Sequence, residues 1–183
     1  MDYVPLLNYT KELRGYVVVQ KDSASKAVKD LRNRSVAAPD RLAVISLMGI
    51  EYLKQNGLEP NKDFRLVAAR SHNNAALSVE KGESDAAIIG SVPFQQLSPE
   101  LRGRLRVIAE TESIPSQFVI AHKRLGEAEL AKIKAALLEY GQTEGGRKFL
   151  LDNGFDAFQQ PTDAMMKRLD VYANDVETLL TKP

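Results

Sequence analysis

Short apolar runs alternate with helical patterns between Gly15 and His122. Gly15–Gln20 (GYVVVQ), Ser35–Ala38 (SVAA), Phe64–Ala69 (FRLVAA), Asp85–Gly90 (DAAIIG), Leu105–Ala109 and Gln117–Ala121 read as strands. They are short and nearly all apolar, as strands buried on both faces are. Arg41–Asn56 predicts a helix, with Leu42, Ile45, Ile50 and Leu53 near helical spacing. Gly57 supplies its stop and Pro60 lies just beyond. Asn73–Glu80 predicts a second helix, stopped at Gly82. The alternation predicts an α/β fold: a mainly parallel sheet flanked by helices.

After His122 the pattern changes. Glu127–Tyr140 (EAELAKIKAALLEY) is amphipathic, with Leu130, Ile133, Leu137 and Leu138 on one face. Further helices are predicted over Gly145–Asp152, ended at Gly154, and over Asp163–Leu180. No strand is predicted in this third. The expected division is therefore an α/β domain over 15–122 and a helical C-terminal segment over 123–183. The apolar faces of that segment must pack on the sheet domain or on chain outside this sequence.

Composition narrows the function. The 183 residues are 44% hydrophobic, enough for a real core, and the net charge of +1 implies no polyanionic partner. No nucleic-acid partner is therefore expected. The absence of cysteine excludes disulfides, thiolate nucleophiles and Cys-ligated zinc. No apolar run approaches the roughly 18–20 residues that span a bilayer, so no membrane insertion is expected. Met1–Thr10 lacks the basic and apolar regions of a signal peptide.

Ligands of open α/β sheets bind beyond the carboxyl ends of the strands. Four stretches reach that edge: Pro39-Asp40-Arg41, Ser71-His72-Asn73-Asn74, Gly90-Ser91, and Glu110 through Pro115. Ser71, His72, Asn73 and Asn74 concentrate donors at a helix start, whose free N–H groups and dipole favour an anion. Ser71 or Asn73 also suits a helix cap, and the two roles coexist. Asp40 reads as the N-cap of the preceding helix, with Arg41 able to reach an anion. Gly90-Ser91 allows close backbone approach to a ligand. Asp85 reads as a turn residue, and Glu110 and Glu112 as loop charges. Catalytic motifs are lacking: His72 and His122 are the only histidines, and HExxH, GxSxG and Walker-type loops are absent. No metal set is convincingly spaced, and no cofactor is expected.

The order of these pieces resembles the phosphate/phosphite/phosphonate-type periplasmic solute-binding proteins, the PhnD-like branch of the type 2 periplasmic-binding-protein fold. The resemblance runs from Tyr16 to Phe158. It rests on Asp30-Leu31-Arg32-Asn33-Arg34-Ser35-Val36-Ala37-Ala38-Pro39, Gly57-Leu58, Asp63-Phe64, Ser71 through Ala76, and Gly82 through Ala87. Arg106 through Glu110, Ile114-Pro115, Leu137-Leu138 and Phe149-Leu150 complete it.

The resemblance implies two lobes joined by crossing strands with a small anionic ligand held in a cleft between them. It implies that 15–122 is lobe 2 and that 123–183 completes lobe 1, whose N-terminal part lies outside this chain. It implies a solute-binding, non-catalytic component of an ABC-type importer with a permease partner. The location would be periplasmic, or extracellular on a lipoprotein, with the signal segment outside this chain. His72 matches the family's anion-contacting histidine, flanked by Ser71 and Asn73. The family's hydroxyl-rich helix start falls at Pro39–Val44, which here reads Pro-Asp-Arg-Leu-Ala-Val. Asp40 would repel a phosphonate dianion, which leaves another oxyanion, a zwitterion or a neutral ligand open. The alternatives are a sensor domain on the same fold and an enzyme of the menaquinone-biosynthesis type, with His72 as general base.

Overall fold

Uninterrupted Val, Ile and Ala runs build the centre of the structure, a computed structural model that describes residues 2–115 and 117–181. Its strands and helices, in chain order, are β1 (Tyr3–Tyr9), β2 (Glu12–Leu13), β3 (Gly15–Gln20), β4 (Ser35–Ala38), α1 (Val44–Gln55) and β5 (Arg65–Ala68). Next come α2 (His72–Glu80), β6 (Ala86–Gly90), α3 (Ser91–Gln96), α4 (Pro99–Gly103), β7 (Leu105–Glu110), β8 (Ile114–Pro115) and β9 (Phe118–His122). The chain ends with α5 (Glu127–Gln142), α6 (Glu144–Asp152), β10 (Phe158–Gln159) and α7 (Asp163–Thr181). Met1, Lys182 and Pro183, which fall in the sequence expectations, lie outside the described residues.

The chain divides into two compact units, Met1–Glu12 with Ile114–Val171 and Leu13–Ser113 with Tyr172–Pro183. The second holds a five-stranded sheet of order β5-β4-β6-β3-β7. β4 pairs in parallel with β5 and β6, whereas β3 pairs antiparallel with β6 and β7. Four of the five strands run one way, as expected of a mainly parallel sheet, with one antiparallel strand, β3, set between β6 and β7. An apolar run records burial on both faces but not strand direction. β4-α1-β5-α2-β6 is a succession of parallel crossovers, β7 runs the same way as β6, and β3 alone runs against them.

Alternation along the strands sorts the two faces. Val18, Ala37, Ala87 and Ile89 pack with Ala75, Ala76 and Val79 of α2 and with Phe94, Leu97 and Leu105. On the opposite face Gly49 of α1 lies so close to Ile88 that a Cβ there would sit 2.4 Å from Ile88 Cγ2. Small residues let helix and sheet approach, and Ile45, Leu47, Met48 and Leu53 of α1 are buried with it. α1 ends as expected at Gly57, whose φ is +78°. The Gly57 N–H donates to Lys54 O at 2.8 Å and the Leu58 N–H to Leu53 O at 3.0 Å. That is a Schellman closure, with Leu53 and Leu58 both buried.

The first unit corrects an expectation: the helical third does contain a strand, β10. β1, missed in the sequence, pairs antiparallel with β9 (Val4↔Ala121, Asn8↔Phe118) and with β10 (Asn8↔Gln159, Tyr9↔Phe158). α5 packs on β1 and β10, and Tyr9 stacks on Phe155 at 4.0 Å. Arg168 of α7 pairs with Glu12 at 2.8 Å. The apolar face of α5 therefore packs on a sheet whose central strand is β1, and α6 packs on α5.

Candidate functional site

Register brings the ends of the second unit's strands to one edge. Ala38 pairs with Ala68, Gly15 with Gly90, and Tyr16 with Glu110. β4, β5, β6 and β7 therefore end at the edge where β3 begins. The chain leaves β4 through α1 on one face and returns to β6 through α2 on the other, so the crossovers diverge between β4 and β6. This is the position where α/β sheets hold ligands. Pro39–Arg41, Ala69–His72 and Ser91 all follow strand ends here.

Three helices start at this edge, α1, α2 and the short α3, and only α2 has a side-chain cap. Ser71 is the N-cap of α2, in extended conformation, and its Oγ accepts the Asn74 N–H at 3.1 Å. The N-cap of α1 is Ala43, which has no side chain to offer. Asp40, expected to cap α1, does not. Its carboxylate accepts the Leu42 N–H at 2.8 Å and its carbonyl accepts the Ala43 N–H at 2.9 Å, closing a turn before the helix. The expected helix start at Arg41 moves to Val44 for that reason: Asp40 satisfies its local backbone in a turn rather than in a helix. The first turn of α1 is left with N–H groups no side chain satisfies.

That first turn is set against glycines. A Cβ on Gly15 would lie 3.8 Å from Ile45 O, and one on Gly90 would lie 3.5 Å from Ile45 Cγ1. Thr111 fixes the neighbouring backbone. Its Oγ1 accepts the Gly15 N–H at 2.9 Å and donates to Glu112 O at 2.8 Å, while its own N–H donates to Gly15 O at 2.9 Å. Ser46, in the third position of α1, is fully buried, and its hydroxyl has no partner among the described residues. Helical side chains lean toward the N-terminus, so this hydroxyl leans toward the uncapped turn.

His72 opens α2 half-buried, and its Nδ1 accepts the Gly90 N–H at 3.4 Å. Burial holds its pKa below the usual imidazole value. The neutral ring with Nδ1 as acceptor carries its proton on Nε2, a donor for an oxyanion. Asn73 and Asn74 are exposed on the first turn of α2, and Ser91 is half-buried beside Gly90, its N–H donating to Arg14 O at 2.8 Å. Arg41 and Arg70 are exposed at the same edge, and neither has an ion-pair or hydrogen-bond partner among the described residues. Arg14 instead pairs with Glu110 at 3.1 Å. The edge thus gathers hydrogen-bond donors that suit an anion.

Sequence reasoning missed three of these features: Ser46, Thr111 and the bare start of α1. The last left a signal, because Leu-Ala-Val-Ile runs into a helix without a Ser, Thr, Asp or Asn directly before it. Asp85 lies at the opposite edge, as a clamp. Its carboxylate accepts the Ser35 N–H at 2.8 Å and hydroxyl at 2.7 Å, and its own N–H donates to Ser35 Oγ at 3.0 Å. Burial pushes its pKa up, but the Ser35 bonds, Arg34 and Arg65 outweigh it and hold the carboxyl below its ordinary value. A groove of about 530 Å³ lies there, lined by Asn33, Arg34, Lys62, Arg65 and Asp85 among others. It is remote from the strand ends where the donors converge. His122 serves its own loop: Nδ1 accepts the Arg124 N–H at 3.0 Å. Among the described residues no three His, Cys, Asp or Glu side chains gather as a metal-holding group, and no helix is long and apolar enough to cross a membrane.

A family model described as "ABC transporter, phosphonate, periplasmic substrate-binding protein" matches residues 2–166. Among solved structures, XAC2383 from Xanthomonas citri bound to ATP is similar with a TM-score of 0.82 at 17% identity, over 96% of this chain and 71% of that one. A binding protein component of an ABC phosphonate transporter from Pseudomonas aeruginosa gives 0.75 at 20% identity, over 96% and 63%. PhnD1 from Prochlorococcus marinus in complex with methylphosphonate gives 0.76 at 17% identity, over 96% and 72%. These likenesses establish the fold, that of the type 2 periplasmic binding proteins. No curated protein sequence matches the chain.

Proposed function

The chain belongs to the family of periplasmic substrate-binding proteins of ABC phosphonate transporters, and from that premise we propose that it captures a small oxyanion at the carboxyl edge of its five-stranded sheet. The observation that carries the reading is the uncapped start of α1, where a bound oxyanion would take the place of the missing cap. His72 would donate from Nε2, and Arg41 would supply charge from the turn before the helix. Ser71, Asn73, Asn74 and Ser91 line the same edge as secondary contacts, with Ser71 committed first to its cap.

The second unit is assigned to the family's lobe 2 and the first to the part of lobe 1 that this chain carries. The chain covers 63–72% of the length of the three similar structures, which supports that assignment. The protein delivers its ligand to a membrane permease in the periplasm, or outside the cell as a lipoprotein, and performs no turnover. A thermal-shift screen against phosphate, phosphite, phosphonates, sulfonates and small carboxylates tests the reading, because a ligand that binds only the folded state raises Tm. A rise with at least one oxyanion is expected. No rise with any of them contradicts it.

A further inference from the structure

We propose that Asp40 acts as a charge filter, so that the site takes singly charged anions, such as sulfonates, phosphodiester-like groups and carboxylates, in preference to dianions. The proposal rests on the functional reading above and specifies its ligand class. Three features of the turn before α1 carry it.

First, the carboxylate is held in place. The Leu42 N–H fixes its Oδ1 at 2.8 Å, and the Ala43 N–H fixes the backbone carbonyl at 2.9 Å. The negative charge is therefore fixed in the turn that leads into the N-cap, Ala43, bonded to the backbone of the residue just before it. Second, nothing neutralises it. Asp40 is exposed and makes no ion pair among the described residues, although Arg41 is its neighbour in sequence. Glu110 ends β7 and Glu112 follows it, both exposed at the same edge, and among the described residues only Glu110 forms an ion pair, with Arg14. Third, the turn offers no compensating hydroxyl. Residues 39–45 are Pro, Asp, Arg, Leu, Ala, Val and Ile, and the first hydroxyl beyond them, on Ser46, is buried.

The balance of charge follows. A helix start presents the equivalent of about half a positive charge, whereas Asp40 presents a whole negative one. Each charge on the ligand meets that carboxylate, so the repulsion doubles from a monoanion to a dianion. Backbone N–H groups and the Nε2 of His72 are the same for both. Arg41 and Arg70, exposed at the same edge, attract a second ligand charge as well, but Asp40 and Glu112 set two negative charges against those two positive ones.

The test is titration calorimetry with methanesulfonate and methylphosphonate on the wild-type protein and on Asp40→Asn. Both anions are measured at about pH 9, where the phosphonate has lost its second proton and the sulfonate carries one charge. The asparagine keeps an acceptor for the Leu42 N–H, and a thermal melt confirms the fold. Wild type is expected to bind methanesulfonate about tenfold more tightly than the dianion. The substitution is expected to tighten both, the dianion by roughly the square of the factor seen for the monoanion. Equal tightening of the two anions, or a wild-type preference for the dianion, overturns the charge filter while leaving oxyanion binding intact. Binding of neither anion to either protein overturns the functional reading and the filter with it.

Discussion

The imidazole of His72 accepts the backbone N–H of Gly90 through Nδ1 at 3.4 Å, tying the first residue of α2 to the last residue of β6. The bond satisfies a buried backbone donor and fixes the ring with Nε2 free. Protonation must occur at Nδ1 and would break it, and burial also disfavours the charged ring. The unfolded chain therefore takes up the proton first. The stability this histidine contributes is present above its ordinary value of 6.5 and is lost as pH falls from there toward the lower folded value. Replacing His72 by Ala should cost about 1–3 kcal/mol at neutral pH, because the Gly90 N–H loses its partner. Urea melts on either side of pH 6.5 should show a fall in wild-type stability that the variant lacks.

Ser71→Ala separates capping from ligand contact. The Asn74 N–H loses its acceptor, and stability should drop by about 1 kcal/mol. Oxyanion affinity should change by less than about threefold, because the anion site proposed above centres on the start of α1 and the Ser71 hydroxyl is committed to its cap. Paired denaturation and binding measurements on one preparation check both halves.

Gly49→Ala should destabilise, although alanine is the better helix former. The gain in propensity is about 1 kcal/mol. The new Cβ would sit 2.4 Å from Ile88 Cγ2, a branched atom that cannot swing away, and overpacking of this kind costs about 1–3 kcal/mol. Adding Ile88→Ala should remove part of the Gly49→Ala penalty, so the double variant should be less unstable than the sum of the singles. Chemical denaturation of the four proteins measures this.

Asp85→Ala should remove the acceptor of both the Ser35 N–H and its hydroxyl, costing about 1–3 kcal/mol. The folded carboxyl titrates below its ordinary 3.8, so the unfolded chain is protonated first on acidification. Its contribution is present above pH 3.8 and disappears as pH falls through the folded value. An acid titration followed by circular dichroism should show a steeper loss below pH 3.8 in wild type than in the variant. Ligand binding at neutral pH should be unchanged, since Asp85 lies at the far edge of the sheet.

Much of this architecture was legible along the chain. Val17–Val19, Val36–Ala38 and Ala86–Ile89 announced buried strands, and Gly57 and Gly82 ended their helices where expected. Strand direction was not legible, because Val-Val-Val reads alike in β3 whichever way it runs. β1 was missed because Pro5 and Asn8 interrupt its apolar run; Asn8 is nonetheless fully buried, held by tertiary packing rather than by pattern. At the site, Ser71 announced a cap and is one. Asp40 offered the same residue type before α1, yet its carboxylate turned onto Leu42 two residues ahead. Both uses of an aspartate are locally satisfactory, and only the packing of the first turn of α1 against Gly15 and Gly90 decides between them.

The uncapped start of α1 can be probed by supplying the cap it lacks. Ala43→Asp places a carboxylate at the N-cap, where its backbone conformation, φ −66° and ψ 129°, already suits a capping residue. Titration calorimetry of the variant and the wild type with methanesulfonate measures the consequence directly. The variant should be more stable than wild type without ligand, by about 1 kcal/mol, and should bind the anion at least about tenfold more weakly. Equal affinity in the two proteins would contradict the assignment of the oxyanion to the start of α1.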